Sequence, residues 1–237
     1  IIGIFDSAKL QKFCLSVELV NSSAGIGMTS QRARNRLVEL LREMGIGSEQ
    51  VLEVIRTIPR HLFVDEALGS RAYENTALPI GYGQTISQPY TVALMTELLL
   101  DSGPMKKVLD IGSGCGYQAA VLSHFSARVF SVERIKGLFV KTENRLNQLK
   151  YTNIRMKYGN GFSGWAANAE YDAILVAAAP VDVPEQLLCQ LAIGGRLVIP
   201  IGIAGSQKLR LFTRSESGVS EQLIDDVSFV PLLDGVQ

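Results

Sequence analysis

The sequence predicts an α/β fold in which a doubly wound, mostly parallel sheet follows an N-terminal helical segment. Beyond residue 104, short apolar runs that are typical of buried strands alternate with segments of helical periodicity. Apolar strands that alternate with helices form parallel sheets whose two faces the helices cover. The strand-like runs are KVLDI, RVFSV, NIRMKY, YDAILVAA and GRLVIPI, with helices expected at about 117–125 and 136–149.

The last two strand-like runs differ from the others. KLRLFTR and DDVSFVPL alternate apolar and polar residues more regularly, and no helical segment separates them. Alternation of this kind is typical of antiparallel strands with one solvated face. We therefore expect a hairpin-like pair at one edge of the sheet.

Residues 28–104 are predicted to form helices around one long irregular segment. Apolar residues recur at helical spacing after Thr29 until a pair of glycines ends this helix, and a second helix follows Ser48. A third helix is expected over 91–100. The stretch 59–89 is rich in Pro, Gly and Tyr and has no clear period. Irregular segments of this length in a compact domain more often serve function than not.

We interpret residues 1–27 as an N-terminal extension, either disordered or an artefact of an upstream start, and assign it no function. Charged residues interrupt every apolar run in it that could form a signal peptide or a membrane span. Met28 and the helical pattern that follows it make a better protein start. The predicted division is therefore 1–27, 28–104 and 105–237.

Composition and charge narrow the possible partners. The 237 residues include 23 Lys and Arg and 23 Asp and Glu, so the formal net charge is zero. Because basic residues do not cluster, we expect neither nucleic acid nor a membrane as a partner. Two His and three widely spaced Cys do not give the usual spacing of a metal site, so no metal is expected. The odd cysteine count argues against a disulfide framework and favours a cytoplasmic location.

A glycine-rich turn, VLDIGSGCGYQAAVL, follows the first predicted strand of the sheet. Gly112, Gly114 and Gly116 let the backbone approach a ligand at the carboxyl ends of the strands. The dinucleotide fingerprint G-x-G-x-x-G requires a third glycine where this chain has Tyr117. The turn thus predicts a ligand site, but not the usual dinucleotide site.

An acidic residue, Glu133, ends the second predicted strand of the sheet. Its carboxylate can accept hydrogen bonds from both ribose hydroxyls of an adenosine ligand. With the turn, this favours a nucleoside ligand without a pyrophosphate, namely S-adenosylmethionine. Since such turns occur in many α/β folds, a non-enzymatic Rossmann-type nucleotide-binding module stays open as an alternative.

Six segments resemble the bacterial protein-L-isoaspartate O-methyltransferases, over roughly residues 28–234. They are GYGQTISQPYTVALMTELL, VLDIGSGCGYQAAVL, VFSVERIKGL, YDAILVAAAP, GGRLVIPIG and VSFVPL, in this order. The resemblance implies the seven-stranded sheet of the class I S-adenosylmethionine-dependent methyltransferases. It also implies methyl transfer to the free carboxylate of L-isoaspartyl residues in damaged proteins and peptides. The methyl ester then forms a succinimide without the enzyme, which allows partial return to aspartate.

This chemistry needs no strong base. A carboxylate with an ordinary pKa near 4 is already an anionic nucleophile at neutral pH. The positive charge of the sulfonium activates its methyl group. The enzyme must mainly hold the two groups in line and exclude water. A sequence without a His–Asp or Cys–His arrangement is consistent with this task.

The resemblance also implies roles for individual residues. Ser87 in TISQP takes the position of the active-site serine, which donates a hydrogen bond to the substrate carboxylate; the alternative is a hydroxyl that only caps a turn. Thr85 offers a second hydroxyl to the substrate. The residues implied to bind the cofactor are Ile86, Gln88, Asp110, Gly112, Gly114, Glu133, Asn160 and Gly161.

Two positions depart from the family pattern. Asn160 stands where members usually carry the acid of a Gly-Asp-Gly segment, and Ala177 replaces a commoner threonine. An amide oxygen can still accept a hydrogen bond from the adenine amino group. These departures bear on the strength of the activity rather than its type. A related carboxyl methyltransferase with another peptide or small-molecule substrate stays open, and a monomer is expected.

Overall fold

A computed structural model describes residues 29–100, 103 and 105–237. The interpretation of residues 1–27 as an extension lies outside this part of the chain. Three predicted helices are present near its start: α1, Gln31–Glu43; α2, Glu49–Thr57; and α3, Pro89–Leu100. The Ser48 hydroxyl caps α2 by accepting a hydrogen bond from the Val51 N–H at 3.3 Å.

The segment 59–89, predicted to be irregular, contains short ordered pieces. Two 3₁₀ helices, Arg60–Phe63 and Glu66–Arg71, precede a small antiparallel hairpin of β1, Leu78–Gly81, and β2, Gln84–Ile86. Tyr82 at the hairpin tip has a φ of +55° and lies between two glycines that also have positive φ. This backbone explains the glycines of GYGQ, because L side chains rarely adopt it.

A seven-stranded sheet forms the centre of the molecule, and its spatial order is β5-β4-β3-β6-β7-β8-β9. Neighbours from β5 to β7 are parallel, whereas β8 and β9 are added antiparallel. The predicted doubly wound, mostly parallel sheet is thereby confirmed. The strands are β3, Met105–Ile111; β4, Ser126–Glu133; β5, Ile154–Tyr158; β6, Tyr171–Val176; β7, Leu191–Ile201; β8, Gln207–Ser215; and β9, Gly218–Val227.

Helices connect the parallel strands and cover the sheet. They are α4, Tyr117–Leu122; α5, Lys136–Gln148; and α6, Glu185–Cys189. Residues of α1–α3 share one apolar core with residues of α4 and α5, so the N-terminal segment packs directly on this side of the sheet. From β3 the chain runs outward through β4 and β5, then returns to place β6 on the other side of β3. Ligands of such sheets bind where the strand order reverses, at the carboxyl ends.

The edge pair is confirmed as a hairpin, but the predicted extent of its second strand is wrong. β9 begins at Gly218 and ends at Val227, so most of DDVSFVPL lies beyond it. The residues after β9 cross the carboxyl ends of the parallel strands instead, where Pro231 forms a bridge with Ala179 and Leu232 is buried. In this C-terminal segment, residues 230–237, Val230 is half-buried and Leu232 is buried, which the exposed edge strand would not offer them.

Candidate active site

A cavity opens at the carboxyl ends of β3, β4 and β6, at the point of strand reversal. Its walls come from β2 and Ser87, the glycine turn, the end of β4 and the C-terminal segment. Of the predicted site residues, it brings together Thr85, Ile86, Ser87, Gly112, Gly114, Glu133 and Gly161. Gln88, Asp110 and Asn160 lie outside its lining.

The glycine turn is held by the backbone of β4. Gly112 has a φ of +87°, and its N–H donates to the Val132 carbonyl at 2.9 Å. Gly114 has a φ of +53°, and an added Cβ would stand 3.2 Å from the Ile80 side chain. Larger residues at either position would strain the turn. The predicted close approach of backbone to ligand is therefore compatible with the geometry.

Glu133 presents a fixed carboxylate to the cavity, and its residue is only 4% exposed. One oxygen accepts from the Gly114 N–H and the other from the Ile135 N–H, each at 2.9 Å. Burial raises the pKa of Glu133, while these backbone donors act in the opposite direction. Because each oxygen keeps lone pairs for further bonds, the carboxylate can still accept two hydroxyl donors.

Asp110, which the resemblance implies to bind the cofactor, lies behind the residues that line the cavity. It is fully buried, and its position in β3 opposite Ser131 places both side chains on the same face of the sheet. Its Oδ2 accepts from the Ser131 hydroxyl at 2.6 Å, and Ser131 meets the Ser113 hydroxyl at 2.6 Å. Burial raises the pKa of Asp110 to about 7. Asp110 thus reaches the cavity only through Ser113, which lines it.

Ser87 lies on the cavity wall and is half-buried. Its carbonyl accepts a hydrogen bond from the Arg60 guanidinium at 2.7 Å. Within the described residues its hydroxyl makes no hydrogen bond, so the alternative of a turn-capping serine has no support.

The neighbours of Ser87 differ in exposure. Thr85 is exposed and Ile86 is buried at the wall. The Gln88 carbonyl accepts a hydrogen bond from the Val92 N–H in the first turn of α3.

Asn160 joins β5 to the C-terminal segment. Its Oδ1 accepts from the Phe162 N–H at 3.1 Å, and its Nδ2 donates to the Asp234 carboxylate at 2.6 Å. The adjacent Gly161 lines the cavity, where a Cβ would stand 2.7 Å from the Ile111 side chain. Asn160 is thereby connected to the cavity through Gly161 and to the C-terminal segment through Asp234.

Sequence reasoning missed much of the wall. Residues 230–233 of the C-terminal segment line the cavity, as do Tyr117 and Ile135. The apolar run FVPLL was the available signal, but its proximity to strand-like residues led to the prediction of a strand. Ala177, noted as a departure from the family pattern, also lies at the wall.

The chemistry of the residues that line the cavity fits S-adenosylmethionine. The turn at Gly112 and Gly114 leaves room that a Cβ would fill, and the Glu133 carboxylate suits a ribose diol. Apolar side chains of Ile86, Ile135 and Leu232 provide surface for a flat base. Within the described residues, no three His, Cys, Asp or Glu side chains gather as a metal ion would require.

Fold and cavity together define an S-adenosylmethionine-dependent methyltransferase. The family model described as protein-L-isoaspartate(D-aspartate) O-methyltransferase matches residues 31–237. The chain belongs to this family, and it is a protein carboxyl O-methyltransferase rather than a non-enzymatic nucleotide-binding module.

Two similar proteins carry the name of this family. The protein-L-isoaspartate O-methyltransferase of Pseudomonas aeruginosa (strain LESB58) is 58% identical over 208 residues, which are 88% of this chain and 99% of the relative. That of Halorhodospira halophila is 55% identical over 214 residues, 90% of this chain and 97% of the relative.

Two solved structures share the fold. A protein-L-isoaspartate O-methyltransferase superimposes with a TM-score of 0.76 at 29% identity, covering 84% of this chain and 65% of that one. A putative family member from Plasmodium falciparum, in complex with S-adenosyl-L-homocysteine, superimposes with a TM-score of 0.73 at 27% identity. That match covers 84% of this chain and 97% of the other.

Proposed function

We propose that Ser87 binds the free carboxylate of an L-isoaspartyl residue in this cavity and presents it to the methyl group of S-adenosylmethionine. The observation that supports this role is the free Ser87 hydroxyl, which lies in the same cavity as the glycine turn and Glu133. A hydroxyl donor of this kind favours the anionic form of the substrate and fixes its orientation.

The chain itself supplies orientation and exclusion of water. When bound, S-adenosylmethionine supplies a methyl group that its sulfonium charge activates. Ser87 donates to one substrate oxygen, which leaves the other free to attack, while Thr85 offers a second donor at the cavity mouth. Orientation alone can contribute on the order of 7–11 kcal/mol to such a reaction. No proton has to be removed, because the nucleophile is already ionised.

We assign the cofactor to the part of the cavity that the glycine turn, Glu133 and their neighbours form. We place its methionine portion at Gly112 and Gly114, its ribose at Glu133 and its base beside Ile86 and Gly161. Gln88, Asp110 and Asn160 support these groups from behind the wall. In this assignment residues 28–104 form the substrate and cofactor segment, and residues 105–237 form the cofactor-binding core.

Peptide labelling tests the proposed substrate. We expect methyl transfer to an isoaspartyl peptide and none to the same peptide with a normal aspartyl residue, since the main chain reaches the carboxylate differently in the two. Equal labelling of both peptides, or of neither, would contradict this function. Labelling that tolerates only one flanking sequence would favour the alternative of a related carboxyl methyltransferase with a narrower substrate.

We also propose that the protein acts as a cytoplasmic monomer whose macromolecular partners are isoaspartyl-containing proteins. The zero net charge and absence of basic clusters in the sequence argue against nucleic-acid or membrane partners. No helix in the part of the chain that the structure describes is long and apolar enough to cross a membrane. Sedimentation analysis with and without an isoaspartyl protein tests the monomer.

A further inference from the structure

Arg60 is a buried cation for which the structure offers no acidic partner. The residue has no exposed surface, and within the described residues its guanidinium forms no ion pair. Burial lowers the pKa of Arg60, yet an arginine stays protonated throughout the neutral range. A buried charge is costly unless it is well compensated. An apolar residue of similar volume often serves stability equally well, so the cation calls for another explanation.

The guanidinium contacts three separate segments of the chain. Its Nε donates to the Ala72 carbonyl at 2.9 Å, and its Nη2 donates to the Ser87 carbonyl at 2.7 Å. Its Cζ lies 4.9 Å from the centre of the Tyr117 ring. Ser87 and Tyr117 both line the cavity, and Tyr117 is the first residue of α4 after the glycine turn. The Arg60 side chain therefore fixes the Ser87 main chain relative to the start of α4.

The remaining polar atoms of this pair are not used by the fold. Arg60 Nη1 and the Tyr117 hydroxyl are both buried, and within the described residues neither meets a hydrogen-bond partner outside this pair. Buried polar groups are bonded in the large majority of cases. These unusual groups lie between the Ser87 segment and the glycine turn.

We propose that Arg60 is a positioning residue for methyl transfer, which holds the Ser87 backbone so that its hydroxyl meets the substrate carboxylate. The inference rests on the proposed function of Ser87. It differs from a purely structural role because the effect of Arg60 on turnover must pass through the Ser87 hydroxyl. A misplacement of about 1 Å in such a group can cost on the order of a hundredfold in rate.

A double-mutant cycle separates these roles. Arg60→Lys keeps the charge but loses the planar fork that reaches two carbonyls and stacks on Tyr117. We expect about a 10- to 100-fold lower kcat with an isoaspartyl peptide and little change in its KM. In the Ser87→Ala background the same change should cost less than about threefold, since no hydroxyl remains to position. Arg71→Lys, at an exposed arginine paired with Glu74, is the matched control.

Hydrogen exchange provides a readout that does not depend on activity. Amides of residues 84–88 and 90 should exchange faster in Arg60→Lys than in the wild type, while those of β4 and β6 stay unchanged. Equal losses of kcat in both backgrounds, or unchanged exchange in 84–90, would overturn the inference. A variant that is unfolded at 20 °C would also overturn it, because Arg60 would then be a requirement of the fold. If the wild type labels no isoaspartyl peptide, but residues 84–90 still exchange faster in Arg60→Lys than in the wild type, only the proposed function is contradicted.

Discussion

Ser87 has the clearest consequence at the scale of single residues. Removing a hydrogen bond to a charged group costs about 1.5–3 kcal/mol. We therefore expect Ser87→Ala to lower kcat/KM for an isoaspartyl peptide by roughly 10- to 100-fold. Binding of S-adenosylhomocysteine, measured by titration calorimetry, should stay within about twofold. Ser215→Ala, on the exposed hairpin, serves as the control, and unchanged kinetics of Ser87→Ala would remove the serine from the proposed mechanism.

Asp110 predicts a pH dependence of stability. Burial raises its pKa from 3.8 to about 7 in the folded protein, so the folded state binds the proton more tightly than the unfolded state. Its contribution to the free energy of unfolding is present below about pH 4 and is lost as the pH rises towards 7. The slope from one proton is at most about 1.4 kcal/mol per pH unit.

Urea denaturation of the cofactor-free protein at several pH values measures this effect. The free energy of unfolding of Asp110→Asn, relative to the wild type, should rise between pH 4 and 7. A constant difference over that range would mean that the carboxyl is ionised at all these pH values. The amide variant keeps the size of the side chain, so that packing against Ser131 is little changed.

At the scale of elements, the β1–β2 hairpin contacts α5 through one exposed side chain. The Tyr82 hydroxyl lies against Gly137 in the first turn of α5, where a Cβ would collide with it. Because Tyr82 is 60% exposed and its hydroxyl is the far end of a rotatable side chain, we expect Gly137→Ala to move the ring and to change S-adenosylhomocysteine binding by less than about twofold. A larger loss that Tyr82→Ala relieves would show instead that this contact fixes the hairpin. Gly69→Ala, where nothing lies within 4 Å of the new Cβ, is the control.

The C-terminal segment is a second element with a testable attachment. Asn160→Asp would place a carboxylate against Asp234 in place of the donating amide, and like charges in contact repel. We expect a loss of about 0.5–1.5 kcal/mol in stability or cofactor binding. Asp234→Asn should recover it, whereas an aspartate variant that equals or exceeds the wild type would show that the pair is unimportant.

The same contacts bear on the Asn160–Gly161 pair as a site of spontaneous deamidation. Two hydrogen bonds hold the Asn160 amide, and Gly161 is buried, so we expect the folded protein to keep its amide. Peptide mapping of aged protein would detect a mass gain of about one dalton if this attachment failed.

The helices and parallel strands were predictable because their patterns are local. Apolar periodicity located α1 and α5, and continuous apolar runs located β3 and β6. The hairpin around Tyr82 and the path of the C-terminal segment were not predictable, because their conformations depend on distant partners. Pro231 pairs with Ala179, and Tyr82 packs on Gly137. The position of Arg60 depends on distant partners in the same way, because its guanidinium bonds the carbonyls of Ala72 and Ser87.

At the scale of the whole molecule, the cavity depends on the order of the strands. Segments around residues 86, 113, 133 and 177 meet only because β3 lies between β4 and β6. The resemblance indicated which residues meet, but not which ones form the surface. Asp110 and Asn160 lie behind the lining and are hydrogen-bonded to Ser131 and Asp234, which the sequence could not indicate because these partners are distant along the chain.

The C-terminal segment is the last part of the cavity to be synthesised. Residues 230–233 form one wall of the cavity, yet they leave the ribosome after every strand of the sheet. A growing chain can therefore assemble β3–β7 while its cavity still lacks a side. We expect cofactor binding to begin only when translation has passed this wall, because the site of an unfinished chain would lack one side.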